Sequence, residues 1–423
     1  MPLAPRGAFR ARRDLRALEG VLMPTGSATV SLWFSQIGHS FSHIFMLLYP
    51  TVVIALEPEL GMSYGELLVL MTLGNVLFGV AALPAGWLGD RWSATGMMIL
   101  FFIGTGAASI FTGLMSGPLG LAAGLSLIGL FASIYHPVGM AWLVRNAVNR
   151  GRALGVNGVF GSLGVASAAL IAGVLTDFVH WRAAFIVPGV VSVAVGAGLW
   201  WLLSAGRVHD TKTDVRPQAQ KPARDAVVRA FVVLSVTMLC TGLVFQSMST
   251  AMPKIFAERL AGFTGGTAAG AGLLVSVVYL FGMAGQFTGG YLADRYSLRH
   301  LYVLMYVLMI PVMALAASLA GLPLLAAVTV AVLLNTLAIP IENSLLSHYS
   351  PEKWRATAFG AKFVLNLGVA ALGVPLVAVI RETTGDFYWY FVVVAGLAAV
   401  IVVAALVLPS ERRAPAPQPA HGI

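Results

Sequence analysis

Two ionisable side chains, Glu342 and Lys362, fall well inside long apolar stretches of the sequence. Burying a charge in apolar surroundings is costly unless a group of opposite charge accompanies it, so such residues are candidates for function. Glu342 lies six residues before the end of its stretch, and Lys362 lies six residues after the start of the next. At a rise of about 1.5 Å per residue, both lie about 9 Å from the same end of two consecutive helices. Equal depth predicts an ion pair.

This predicted pair has two interpretations. In the first, Glu342 takes up a proton and thereby frees Lys362 to bind an anion. In the second, the pair is a permanent structural contact, and burial alone does not distinguish the two. Asn343, Asn366 and Gln246 are further candidates for substrate contact in the same half of the chain, although hydrogen bonding between helices is the commoner use of such side chains.

Imidazole groups cluster in the first half of the chain. Gln36, His39 and His43 recur at helical spacing and therefore share one face of a helix. His136, in a later apolar stretch, lies at nearly the depth of His39, about 13 Å against about 15 Å from the same end. Histidine titrates near physiological pH, so the three imidazoles predict part of a substrate site or a proton relay. Packing of each histidine is the alternative.

A metal site is a second interpretation of the same residues. Three pairs of possible ligands are spaced four residues apart on a helical face: His39 and His43, His136 and Met140, and Met248 and Met252. Thioethers suit copper(I), and imidazole suits copper or zinc. The chain has 16 methionines, and methionine commonly serves in packing, so copper transport stays an alternative.

The sequence shows no Walker phosphate loop, no dinucleotide fingerprint and no nucleophile–base set. We therefore expect neither an enzyme nor a bound cofactor. The glycines at 155, 158, 161 and 164 recur every three residues within one apolar stretch. This series predicts close packing of helices rather than a phosphate-binding loop.

The elements that position these residues are apolar helices. Of 423 residues, 58% are hydrophobic and 10% are charged, whereas soluble chains carry about a quarter charged residues. A helix that crosses a bilayer needs about 20 apolar residues. The chain has twelve such stretches, so we predict an all-α membrane protein with twelve transmembrane helices. They cover residues 29–56, 66–89, 95–115, 117–145, 152–176, 183–204, 229–257, 266–291, 299–320, 323–348, 356–380 and 387–409.

The positive charge is distributed unevenly between the two sides of the predicted membrane. The net charge is +9, yet of 26 Lys and Arg residues the loops opposite the termini hold only Arg182, Lys254, Arg259 and Arg381. Basic residues accumulate on the cytoplasmic side of membrane proteins. This pattern predicts an inner-membrane protein with both termini in the cytoplasm, and it does not indicate nucleic-acid binding.

The chain divides into two halves. We predict a cytoplasmic N-terminal tail at 1–28, a six-helix bundle at 29–204, a cytoplasmic linker at 205–228, a second six-helix bundle at 229–409 and a disordered tail at 410–423. The sequence GWLGDRW after the second stretch returns as GYLADRY after the eighth, with an offset of 204 residues. Repetition at one spacing indicates two pseudo-symmetric halves.

The repeated loop motif resembles the signature of the major facilitator superfamily, and its residues are Gly86, Asp90, Arg91, Gly290, Asp294 and Arg295. The resemblance implies two six-helix bundles around a central cavity and alternating access. It also implies that Asp90 faces the start of helix 11 and Asp294 the start of helix 5, where they latch one conformation. Carboxylates favour the positive end of a helix dipole.

A narrower resemblance is to the fosmidomycin-resistance branch of exporters. It rests on GHSFSHIF at 38–45, YHPVGMAWL at 135–143, RGRALG at 150–155 and WRAAF at 181–185. That branch usually carries an aspartate at the position of His43, so this chain departs from the branch there.

Taken together, the apolar stretches, the loop motif and the resemblances predict a monomeric secondary transporter in the lipid bilayer. It moves a small organic solute, is coupled to protons and works in the efflux direction. The alternatives are a copper-type metal transporter and a non-transporting sensor or scaffold.

Overall fold

A computed structural model describes residues 26–209, 224–350, 361–362 and 364–408. Residues 1–25 of the predicted N-terminal tail, the predicted C-terminal tail and most of the predicted linker lie outside these ranges. The described residues form twelve helices that are long and apolar enough to cross a membrane. They are α1 (Ser27–Leu60), α2 (Tyr64–Arg91), α3 (Ala94–Leu114), α4 (Pro118–Asn146), α5 (Arg152–Phe178), α6 (Ala183–Ser204), α7 (Arg229–Arg259), α8 (Ala268–Ala293), α9 (Leu298–Ala316), α10 (Gly321–Tyr349), α11 (Val364–Thr384) and α12 (Tyr388–Leu406).

These twelve helices coincide with the twelve predicted apolar stretches, and they confirm the predicted all-α membrane fold. Most boundaries agree within four residues, and two differ by more. The backbone of α7 is already helical from Arg224, inside the predicted linker, because the polar residues before the apolar stretch extend the same helix. In α11, Ala361 and Lys362 are helical, but the predicted start of this helix falls among residues 351–360, outside the described ranges.

Neighbouring helices pack mainly within each half of the chain. In the first half α3 packs on α6, α2 on α4, and α1 on α5. In the second half α10 packs on both α8 and α9, and α9 packs on α12. The two halves meet where α5 packs on α8, where α2 packs on α11 and where α1 packs on α7.

Small residues allow α1 and α5 to approach closely. A Cβ atom on Gly164 would lie 2.4 Å from the carbonyl oxygen of Ser40, and one on Gly161 would lie 2.5 Å from the ring of His39. By contrast, a Cβ on Gly155 would meet nothing within 4 Å. The glycine series predicted from the sequence therefore packs against α1 at its last two members and not at its first.

We expect Gly164→Ala to lower the free energy of unfolding by about 1–3 kcal/mol, because the new methyl group overpacks the contact with a backbone oxygen that cannot rotate away. The matched control is Gly155→Ala on the same helix, which fills open space. It should leave stability unchanged or raise it, since alanine favours a helix by about 1 kcal/mol over glycine. Unfolding of the purified variants in detergent measures both. Equal behaviour of the two variants would contradict the close packing.

The halves are joined at the end of the molecule opposite residues 26 and 408, which we call the distal end. The end that carries residues 26 and 408 is the termini end. At the distal end Lys254 of α7 pairs with Glu57 of α1. The Gly65 N–H donates to Glu382 Oε1 over 2.8 Å, which joins α2 to α11. The distal end of the interface between the halves is therefore closed.

The contact between α5 and α8 closes the same end through small residues. The Ala269 N–H donates to Asp177 Oδ2 over 2.6 Å. A Cβ on Gly272 would lie 2.2 Å from the carbonyl oxygen of Ala169. Backbones can come this close only where a side chain is missing.

Candidate functional site

The first candidate site is a buried ion pair in the second half. Lys362 Nζ lies 2.5 Å from Glu342 Oε1, and the two residues are 7% and 2% exposed. The structure thus brings together the two residues that equal depth predicted to pair. Removing one partner of a pair this deeply buried leaves the other charge desolvated and without a counter-charge, which is costly. Neutralising both charges together avoids that cost.

Hydrogen bonds surround the pair on several helices. Tyr302 of α9 donates its hydroxyl to Glu342 Oε2 over 2.6 Å, and Thr241 of α7 donates to the same oxygen over 3.1 Å. Lys362 Nζ also donates to Asn343 Oδ1 over 2.7 Å. One oxygen of the Glu342 carboxylate is therefore bound by Lys362 and the other by α7 and α9. The ammonium group of Lys362 is bound by two residues of α10.

Sequence reasoning missed Tyr302 and Thr241. A signal for Tyr302 exists: it recurs at Tyr306, four residues on, so two hydroxyl groups share one face of α9. The Tyr306 hydroxyl donates to Asn335 Oδ1 over 3.2 Å. For Thr241 we find no signal, because threonine is common in membrane helices and bonds its own backbone.

Asn366 lies one turn beyond Lys362, as predicted, on a turn of π-helix at Val364–Gly368. Its Oδ1 atom is buried and accepts no hydrogen bond from the described residues. Gln246 instead joins the halves, because its Nε2 donates to Asn75 Oδ1 of α2 over 3.2 Å. Asn343 thus contacts the ion pair, and Gln246 is part of the contact between the halves.

The second candidate site is a cluster of three histidines in the first half. One nitrogen atom from each of His39, His43 and His136 lies within 4.8 Å of the others. His43 Nε2 lies 3.3 Å from His39 Nε2. The rings of His39 and His43 are half-buried and that of His136 is buried. The predicted grouping of imidazoles from α1 and α4 is present.

A distortion of α4 places His136 in this cluster. Residues Tyr135–Gly139 form a turn of π-helix around Pro137. Proline lacks the N–H of a regular helix, and π-turns inside α-helices are frequent at functional sites. The Tyr135 ring stacks on His39 at 5.0 Å between centroids, while the His136 ring meets His39 edge-on at 5.5 Å. The wide turn thus lets two consecutive side chains contact the same imidazole.

Asn157 of α5 fixes the cluster from behind. Its backbone oxygen lies 2.8 Å from His39 Nδ1. Its side-chain Nδ2 donates to Gln36 Oε1 over 3.0 Å and to the Tyr135 hydroxyl over 2.8 Å. Gln36, predicted as a site residue, contacts Asn157 and does not touch the imidazoles in the described contacts.

The methionines of the predicted metal alternative lie elsewhere. Met248 and Met252 line a small cavity in the second half together with Met313, Val328 and Tyr390. Met140 follows the π-turn of α4 and packs against an apolar cluster that contains Trp142. The structure groups the three histidines and separates Met248 and Met252 from them.

The loop motif of the first half is described in part. Asp90 is exposed and lies 4.0 Å from Arg145 at the end of α4. Arg91 lies over the Trp87 ring at 4.3 Å. A Cβ on Gly86 would lie 3.1 Å from Pro137. The motif thus contacts α4, and its predicted partner at the start of helix 11 falls outside the described residues.

The repeated motif of the second half has fewer contacts. Asp294 is exposed, and a Cβ on Gly290 would meet nothing within 4 Å. Arg295 lies over the Tyr291 ring at 3.5 Å. The latching role of both motifs stays a prediction.

Twelve membrane-length helices and the repeated loop motif both point to one family, and its profile matches nearly the whole chain. The model of the Major Facilitator Superfamily matches residues 32–270 and 255–422. The chain belongs to the major facilitator superfamily. This confirms the resemblance drawn from the loop motif.

Within this superfamily the chain is similar to transporters of differing substrates. It is 28% identical over 264 residues to a probable L-galactonate transporter of Escherichia coli, which covers 57% of this chain and 56% of that protein. It is 29% identical over 168 residues to the puromycin resistance protein pur8 of Streptomyces alboniger, which covers 38% and 33%. The chain thus spans about half or less of the length of these relatives.

Solved structures show the same fold. A transporter of the POT family, solved in complex with a thioalcohol-conjugated peptide, superposes with a TM-score of 0.72. It is 16% identical and covers 89% of this chain and 94% of its own. At this identity the likeness concerns the fold alone. This superfamily member is a multi-pass membrane protein.

Proposed function

We propose that the protein is a secondary transporter that moves a small organic solute by alternating access and couples this movement to protons. The single observation that carries the proposal is the buried pair of Glu342 and Lys362 with its ring of hydrogen bonds. Ionisable groups inside a membrane helix bundle mark ion or substrate pathways. The fold supplies the rocking halves that such a cycle needs.

The proposed chemistry follows from charge balance. As paired, Glu342 and Lys362 are together neutral. When a proton binds Glu342, the site carries one net positive charge and the ammonium group of Lys362 loses its counter-ion. An anionic group of the solute then restores neutrality. The half-buried Asn343, which already accepts a hydrogen bond from Lys362, lies beside the position that this group takes.

Other titratable groups face Glu342 besides Lys362. They are the phenols of Tyr302, in contact, and Tyr306, one turn further along α9. A phenol ionises in water only near pH 10, so Glu342 is the proposed proton carrier.

The closed distal end supports an assignment of conformation. We propose that the termini end faces the cytoplasm, because the basic residues of the sequence accumulate on that side. With that orientation, the contacts of Lys254 with Glu57 and of Gly272 with Ala169 close the outer side of an inner-membrane protein. We infer a state in which the outer side of the interface between the halves is closed. Binding of a proton and an anionic solute together predicts symport down the proton gradient, whereas the resemblance to fosmidomycin-resistance exporters and the name of the puromycin resistance relative favour efflux. The sign of the flux under a pH gradient distinguishes the two directions.

The test is thermal unfolding of the purified protein at two pH values against a panel of organic acids and drugs. Ligands that bind the folded state raise its apparent stability. We expect an organic anion to stabilise the wild type more strongly at the lower pH, because protonation of Glu342 releases Lys362. Glu342→Gln should bind the same compound with equal strength at both pH values.

The outcome for Glu342→Gln decides the coupling role. A pH dependence equal to that of the wild type would remove Glu342 as the proton carrier. Uptake of the stabilising compound into proteoliposomes under a pH gradient tests transport itself. Binding without uptake would indicate instead a sensor or scaffold on the same fold. Glu57→Gln is the matched control, because Glu57 pairs with Lys254 at the distal end and should retain the pH dependence.

A further inference from the structure

We propose that His39, His43 and His136 form a binding site for one divalent transition-metal ion of the zinc class. The site lies in the first half and is independent of the ion pair between Glu342 and Lys362. Three imidazoles from two helices supply it, and the nitrogen atoms already lie within 4.8 Å of one another. Imidazole is the ligand that zinc, nickel and cobalt share in proteins.

The spacing of the nitrogens fits a tetrahedral ion. With zinc–nitrogen bonds of about 2.0–2.1 Å, two imidazole nitrogens on one ion lie about 3.4 Å apart. His39 Nε2 and His43 Nε2 are 3.3 Å apart. The nitrogen of His136, within 4.8 Å, closes to the same spacing by a movement of about 1.5 Å or less. Rotation of one ring supplies such a movement.

The tautomer of His39 is set for metal binding. Its Nδ1 lies 2.8 Å from the backbone oxygen of Asn157, and a carbonyl oxygen only accepts hydrogen bonds. Nδ1 therefore carries the hydrogen, and Nε2 presents its lone pair to His43 and His136. Metal-bound histidines commonly make the same contact: the ring nitrogen that does not bind the metal donates to a carbonyl or carboxylate oxygen, which fixes the orientation of the ring.

The surrounding residues hold the ligands in position. Tyr135 stacks on His39, and Phe78 of α2 meets the His136 ring edge-on at 5.7 Å. Gly161 leaves room for the His39 ring, since a Cβ there would lie 2.5 Å from it. The i, i+4 spacing of His39 and His43 turns both rings to one face of α1. A site of three protein ligands leaves the fourth position of the ion open.

Charge favours an anion at that fourth position. Three neutral imidazoles leave the ion with its full charge of +2 in a half-buried place, which is costly without a counter-ion. A hydroxide ion or a carboxylate from solution lowers that cost. The open position therefore takes an oxygen anion.

The test is metal binding to the full-length protein without a polyhistidine tag. We expect titration calorimetry with Zn²⁺ to show one site, with a Kd at least about 100-fold below that of each variant His39→Asn, His43→Asn and His136→Asn, since each removes a ligand. His180→Asn and His300→Asn change exposed histidines and should bind as the wild type does. Binding that survives all three ligand changes, or no binding, would overturn the proposal.

Cobalt substitution tests the site in the wild-type protein, so its result does not depend on whether the variants fold. Co²⁺ in the wild-type protein should show the strong visible bands of a four-coordinate ion, and Zn²⁺ should displace it. A weak six-coordinate spectrum would overturn the assignment. Glu342→Gln should leave the spectrum unchanged, so failure of the proposed proton coupling and failure of the metal site are separate results.

Discussion

Glu342→Ala should lower the free energy of unfolding by about 3–5 kcal/mol, because it leaves the ammonium group of Lys362 buried without its counter-charge. Tyr302 and Thr241 lose their acceptor in the same change. The double variant Glu342→Leu with Lys362→Met removes both charges together. It should recover most of the loss, since replacing a buried ion pair by apolar side chains is often neutral.

Unfolding of the three proteins in detergent measures these differences, with Glu57→Ala as the control. Glu57 pairs with Lys254, but its side chain is 22% exposed, against 3% for Glu342. A partly exposed pair contributes about 1 kcal/mol or less, so the control should lose little. A double variant as unstable as Glu342→Ala would show that the carboxylate matters for its shape and hydrogen bonds, not for the charge of Lys362.

Gly272→Leu should shift the protein towards a state that is open at the distal end. In the closed state the backbones of α5 and α8 touch at this glycine, and no side chain fits there. Overpacking costs about 1–3 kcal/mol, which moves a two-state equilibrium by about 5- to 150-fold. Packed interfaces are bistable, so the halves separate at this end instead of deforming smoothly.

Spin labels at Gly117, in the loop before α4, and Leu322, in the first turn of α10, report on this opening. With Cys240 replaced by serine, the distance between the labels should lengthen in Gly272→Leu. Labels at Gly117 and His180 lie in one half and should keep their distance. The control Gly396→Leu adds the same side chain where nothing lies within 4 Å, and it should leave both distances unchanged. An unchanged distance in Gly272→Leu would show that α5 and α8 do not gate this end.

The sequence predicted the fold because an apolar stretch of membrane length forms a helix in lipid, where its backbone polar groups can bond only to each other. It predicted the contact of Glu342 with Lys362 and the grouping of the histidines because depth along a helix is a simple count of residues. These predictions need only the rise of the helix and the order of the chain. The proton-coupling and substrate roles of these residues remain predictions.

Other features could not be predicted because they depend on how helices rotate against each other. Depth does not tell which side of α9 faces α10, so Tyr302 was missed as a partner of Glu342. The spacing of Met248 and Met252 matched that of metal ligands, yet rotation of α7 turns them to an apolar cavity in the second half. Gln246 bonds Asn75 across the halves, a contact that depth does not predict, and its role at the substrate stays a prediction.

The irregular course of α11 has a mechanical consequence. A π-turn at Val364–Gly368 is wound too loosely, and the 3-10 turn at Val369–Leu372 that follows is wound too tightly. The π-turn rotates the chain less per residue than a regular α-helix, and the 3-10 turn rotates it more. The two deviations largely cancel, so the regular helix resumes from Gly373 close to the rotation that an unbroken α-helix would have there. We expect these two turns to act as a torsional joint. Exchange of winding between them would rotate the chain before Val364 relative to the helix from Gly373, while the distal closure stays in place.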